Sequence, residues 1–236
     1  MIRLRDLPSP NCDARPSSGS IDMLVIHYTG MRSAEAAISR LIDSTAQVSA
    51  HYVIDEDGAV TRLVDEDKRA WHAGVAMWRG STDINARSIG IELVNPGHEF
   101  GYRPFADAQM ESLEDLARAI VARYAIPARN VVGHSDVAPT RKMDPGELFG
   151  WRRLAAAGVG LWPTEDGPSA DGFDPSTDFD VAPMLAEVGY DLTNLAAATI
   201  AFQRHFAPHR LDGVADPATK RALAALIAAL KNGHEG

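Results

Sequence analysis

Long apolar runs, cysteine pairs and surplus positive charge are all missing from this chain of 236 residues. No stretch approaches the roughly 20 consecutive apolar residues that a membrane-spanning helix needs, so membrane insertion is not expected. A single cysteine, Cys12, excludes an intrachain disulfide and leaves the redox compartment open. Lys and Arg number 23 against 32 Asp and Glu, giving a formal net charge of -9. That balance argues against general affinity for nucleic acid or an anionic membrane. The N-terminal stretch MIRLRDLPSPNCDARPSSGS has positive charges but no apolar run behind them, so it does not read as a secretory signal. The expected location is therefore cytoplasmic, with a periplasmic or extracellular one as the alternative.

What is present is the composition of a folded protein, 45% hydrophobic and 23% charged. The length suits a catalytic domain with a small module attached. After a polar, Pro-rich arm, IDMLVIHYTG is a short apolar run that stops at Gly30 and reads as a buried strand. Ser33 is a plausible cap for a helix over residues 33 to 43. SAHYVIDEDGAVTRLVD is two alternating runs joined at Asp57-Gly58, a strong hairpin signal. SIGIELV is a further strand, and Asp107 to Tyr124 has apolar residues on one helical face. A short strand at NVVGHSDV and a helix near residues 146 to 157 follow. Strands interleaved with helices predict an α/β domain, a mixed central β-sheet flanked by helices, over residues 1 to 163. Residues 164 to 179 are rich in Asp, Gly, Pro and Ser and read as a linker. Residues 180 to 236 turn Ala- and Leu-rich and predict a small C-terminal three-helix module, with Asp216-Pro217 as a helix start.

Eight histidines must be set against these strands. His27 and His134 each lie at a strand end, where a side chain can emerge at the rim of a sheet. Asp144 follows His134 in the irregular segment SDVAPTRKMDPGE. Two imidazoles and a carboxylate suffice to hold a catalytic zinc with one position open. Strand alternation places Gly90, Glu92 and Val94 on one face of SIGIELV and Ile89, Ile91 and Leu93 on the other. A carboxylate inside an apolar strand is costly to bury without a partner. Activated water would be such a partner, with Glu92 as general base. Lys142 precedes Asp144 by two residues, so in extended chain it faces the same way and can stabilise an oxyanion. Periodicity alone does not choose these residues over His51 or His72, and the residue-level reading ends at a candidate metal site on an α/β sheet.

The stretches VIHYTG, SAHYVIDEDGAVTRLVDEDKRAWHAG, SIGIELVN and VVGHSDVAPTRKMDPG make the choice. In this order, from about residue 20 to residue 163, the chain resembles the N-acetylmuramoyl-L-alanine amidases of the second amidase type. That group includes cytosolic anhydro-muropeptide amidases and peptidoglycan recognition proteins. The resemblance implies zinc on His27, His134 and Asp144, a catalytic acid at Glu92 and transition-state stabilisation by Lys142. It implies peptidoglycan or muropeptides as substrate, cut between muramic acid (or its anhydro form) and L-alanine. A non-catalytic recognition protein on the same fold is the alternative. His51 reads as structural, Trp71 as a wall of the substrate groove or a core residue, and Arg87 as a candidate for a substrate carboxylate. TIAFQRHF and LDGVADPATKRAL make the C-terminal module similar to the peptidoglycan-binding domain of wall hydrolases.

Overall fold

The structure is a computed structural model and describes residues 4–17, 19–163 and 180–232. Eight strands run in chain order: β1 (Leu4–Asp6), β2 (Cys12–Ala14), β3 (Met23–Tyr28), β4 (Tyr52–Ile54), β5 (Val60–Arg62), β6 (Lys68–Ala70), β7 (Ser88–Leu93) and β8 (Val131–Gly133). Among the described residues, the helices before the expected linker are α1 (Ala34–Ile42), α2 (Ile84–Arg87), α3 (Gly97–Phe100), α4 (Asp107–Tyr124), α5 (His134–Val137) and α6 (Trp151–Ala156). Beyond the expected linker, which lies outside the described residues, come α7 (Ala182–Val188), α8 (Leu195–Phe206) and α9 (Pro217–Asn232). The mixed sheet and the three C-terminal helices match the expected fold class.

Six strands form one sheet in the order β1-β5-β4-β7-β3-β8, and β2 pairs with β6 separately. Only β4 and β5 pair antiparallel within the larger sheet. They are the arms of the expected hairpin, whose turn needs the positive φ of Gly58. A Cβ at Gly58 would also lie 2.6 Å from the Ala108 carbonyl oxygen. The remaining pairs are parallel, so both strand faces need cover, and the central strands β3 and β7 are mostly apolar, broken by His27 in one and by Ser88 and Glu92 in the other.

The two faces are covered differently. Leu24, Ile26, Ile89, Ile91 and Leu93 pack beneath α4, through Met110, Leu113 and Ile120. On the opposite face, α1 covers Val53 and Val94 with Ile38 and Leu41. Further along that face, Met23, Val25 and Val132 share one apolar cluster with Leu185, Phe202, Leu223 and Leu226 of the C-terminal helices. Between these two covers the sheet carries His27, Gly90 and Glu92, and here a cleft of about 340 Å³ opens.

The C-terminal helices also share a polar contact with the sheet. Asp136 is buried and accepts hydrogen bonds from Tyr190 Oη at 2.7 Å and from the Gly133 N–H at 2.7 Å. His205 Nδ1 of α8 lies 2.7 Å from Oδ2, the oxygen that also accepts the Gly133 N–H. The His205 ring stacks on Trp151, with centroids 3.7 Å apart. Among the described residues no helix is long and apolar enough to cross a membrane.

Candidate active site

The parallel register of β3 and β7 aligns His27 with Glu92. The register of β3 and β8 aligns Ile26 with Gly133, one residue before His134. His134 opens the short helix α5 rather than ending the strand, because the Asp136 carboxylate caps the Gly133 N–H. The following loop returns to the same point, where Ser135 N–H donates to the Asp144 carbonyl at 2.9 Å. His27, His134 and Asp144 are thereby brought together in the interior, 1%, 3% and 6% exposed.

Their polar atoms converge. His27 Nδ1 lies 2.9 Å from His134 Nδ1, and Asp144 Oδ2 lies 3.0 Å from each. His134 Nε2 is 3.0 Å from the Ala73 carbonyl, which can only accept. The ring therefore carries its proton there and turns the Nδ1 lone pair toward the other two groups. Burial, and next the repulsion that a second proton would meet from the adjacent His134, push His27 down to about 4. Burial works against ionisation of Asp144, but His134 and His27 outweigh it and hold the carboxyl well below its usual range. Both directions leave neutral imidazole beside carboxylate. Lone pairs crowded on one point without enough protons to share could hold a divalent metal ion.

Glu92 faces the same cleft. Its Oε2 is buried and has no hydrogen-bond partner among the described residues. Burial, and to a lesser degree the Asp144 charge, raise it to about 8, with Lys142 opposing. An unpartnered carboxyl of this kind can exchange a proton near neutral pH. Lys142 and Asp144 both line the cleft, as their spacing suggests.

The other sequence candidates are spread more widely. Trp71 lines the cleft, partly buried. Arg87 does not line it: Nε donates to Asp22 Oδ1 at 2.7 Å and Nη2 donates to Oδ2. Both Arg87 and Asp22 flank the starts of parallel strands, whereas Glu92 lies near the other end of β7. His51 Nδ1 accepts the Gly90 N–H at 2.9 Å, tying β4 to β7. Burial lowers His51 to about 3, helped by the Arg15 charge. Sequence reasoning passed over His72, whose Nδ1 is 3.0 Å from His27 Nε2. The available signal was Gly90: a Cβ there would lie 2.5 Å from the His72 ring, and glycine inside a strand marks such close approach.

A carboxyl raised toward neutrality beside two imidazoles and a carboxylate that could hold a metal ion is an arrangement suited to hydrolysis. Comparison with known proteins gives its family. The N-acetylmuramoyl-L-alanine amidase family model matches residues 17–147. The chain is similar to the N-acetylmuramoyl-L-alanine amidase AmiD of Escherichia coli (strain K12), 39% identical over 230 residues, covering 88% of this chain and 82% of AmiD. It is 38% identical over 173 residues to the 1,6-anhydro-N-acetylmuramyl-L-alanine amidase AmpD of Enterobacter cloacae, covering 66% of this chain and 90% of AmpD. A solved structure of E. coli AmiD with anhydro-N-acetylmuramic acid-L-Ala-D-gamma-Glu-L-Lys superposes with a TM-score of 0.79 at 38% identity, covering 91% of this chain and 92% of that one. The chain belongs to the N-acetylmuramoyl-L-alanine amidase family.

Proposed function

We propose that the protein is a zinc-dependent hydrolase of muropeptides, acting on the amide between the lactyl group of N-acetylmuramic acid, or its anhydro form, and L-alanine. The substrate class follows from family membership and from the fragment bound to the similar AmiD. The observation that carries the chemistry is Glu92 Oε2, buried and unpartnered on the strand next to His27.

In this reading His27, His134 and Asp144 would hold the ion, which would supply Lewis acidity and lower the pKa of water at the site. Glu92 orients the attacking water and takes its proton. Lys142 places positive charge beside the carbonyl oxygen as it becomes an oxyanion. Glu92 then returns the proton to the departing L-alanine nitrogen, so no net proton is lost. Trp71 forms part of the wall along which the substrate lies. Residues 1–163 carry this chemistry, and residues 180–236, joined through 164–179, form the attached helical module.

The test pairs Glu92→Ala with the wild-type protein on soluble anhydro-muropeptide, followed by mass spectrometry and metal analysis. The variant keeps zinc and loses cleavage, and the wild type releases a stem peptide with a free L-alanine amine. Normal turnover by the variant, or a cut elsewhere in the fragment, overturns the assignment.

A further inference from the structure

We propose that His72 is a positioning residue that sets the tautomer of His27, through a proton chain ending on the backbone of α2. The consequence for a metal rests on the ligand reading above, but the chain itself does not.

The chain is worked out from its far end. Ser88 Oγ lies 2.7 Å from the Ile84 carbonyl, an acceptor only, so the single hydroxyl hydrogen is spent there. Toward His72 Nε2, 3.1 Å away, the same oxygen can then only accept. His72 Nε2 therefore carries a hydrogen. The ring is buried against Gly90, with the His27 and His51 rings at its edges. None of its hydrogen bonds among the described residues goes to a carboxylate, so nothing favours a second proton. Its Nδ1 is a bare lone pair and accepts from His27 Nε2 at 3.0 Å. His27 is left with an unprotonated Nδ1, the atom that meets His134 Nδ1 and Asp144 Oδ2.

The two imidazoles at the centre are thus set by the same device at different reach. The Ala73 carbonyl fixes His134 directly. The Ile84 carbonyl fixes His27 through Ser88 and His72. In each case the nitrogen facing Asp144 is the one without a hydrogen, as a metal ligand requires.

The test uses His72→Phe, which keeps a ring against Gly90 but removes both nitrogens, His72→Asn, whose amide oxygen can stand where Nδ1 accepts, and Ser88→Ala. Imidazole 15N shifts of the metal-free protein read the His27 tautomer, and chelator competition reads zinc affinity. In the wild type His27 is the Nε2–H form. His72→Phe mixes the two tautomers and weakens zinc by about 10- to 100-fold. His72→Asn recovers most of the loss, and Ser88→Ala gives a smaller one. If His72→Phe does not fold, Ser88→Ala decides by the same two readings. A wild-type His27 in the Nδ1–H form overturns the proposal. So does an unchanged tautomer with unchanged affinity in the variants. If the wild type binds no zinc, the ligand reading falls while the 15N spectrum still decides the chain.

Discussion

His27 and Glu92 stand opposite each other on adjacent parallel strands, and both face the gap left on one side of the sheet between α1 and the C-terminal helices. The register alone puts an imidazole and a carboxyl side by side. It also leaves one carboxyl oxygen of Glu92, Oε2, buried without a hydrogen-bond partner among the described residues.

That carboxyl costs stability in a pH-dependent way. Glu92 is raised to about 8 in the fold, by burial first, from a value of 4.5. Below that lower value both folded and unfolded chains hold the proton, and there is no penalty. As pH rises toward 8 the unfolded chain releases its proton while the folded one keeps it, so stability falls, and the penalty is complete above 8. Glu92→Gln removes it. Metal-free Glu92→Gln is expected to match the wild type in denaturant unfolding near pH 4.5 and to exceed it by a few kcal/mol, on the order of the shift, at pH 9. A difference that does not change with pH would count against a buried, unpartnered Glu92.

Removing the metal is expected to lower the melting temperature as well as activity. In its absence two imidazole lone pairs and a carboxylate oxygen face each other at 2.9 to 3.0 Å. A ligand that binds only the folded state stabilises it by mass action, about 4 kcal/mol at a thousandfold excess over Kd. Chelation followed by calorimetry, with zinc added back, measures this. Asp144→Ala should abolish the zinc-dependent rise while leaving the rest of the melt cooperative, and a rise that persists in that variant places the ion elsewhere.

Gly90→Ala should damage the centre without touching a candidate ligand. The new Cβ would meet the His72 ring at 2.5 Å, too close for either group to stay. Overpacking of this kind costs about 1–3 kcal/mol. Adding His72→Ala makes room, so the double variant should regain stability relative to the sum of the single changes. Additive losses would show that the clash is relieved in another way.

Much of this centre was legible in the chain because strands impose a period. Alternation in SIGIELV placed Gly90 and Glu92 on one face, and the structure keeps them there. The helix over Asp107 to Tyr124 was legible for the same reason, its stripe of Met110, Leu113 and Ile120 being buried. His72 was not legible, because its position depends on a loop whose path is set by tertiary contacts, including Arg141 donating to the Ala73 and Val75 carbonyls. Arg87 looked available since nothing local supplies its partner: Asp22 is distant in sequence and comes alongside through the pairing of β3 with β7. The Ala-rich C-terminal helices gave no sign of where they would pack, because an apolar helical stripe does not name the surface that covers it.

That packing leads to the last prediction. Asp136 sits two residues from His134 and is held by Tyr190, between α7 and α8, and by His205 of α8. The apolar cluster on this side draws residues from β3, β8, α7, α8 and α9 together. The C-terminal helices are therefore expected to unfold with the sheet in one transition, with tryptophan fluorescence and far-UV circular dichroism giving the same midpoint. Leaving a buried donor without its acceptor costs about 1–3 kcal/mol, and Asp136→Ala strips the acceptor from both Tyr190 Oη and the Gly133 N–H, so it should lower that midpoint strongly. Tyr190→Phe should cost about 1 kcal/mol of stability. Asp136→Ala also frees the Gly133 N–H that starts α5, and so loosens His134. Its activity on small soluble fragments should fall along with its stability. A module serving only to anchor the enzyme to polymeric wall would leave soluble-fragment activity intact, and that result, or two separate melting transitions, would refute the coupling.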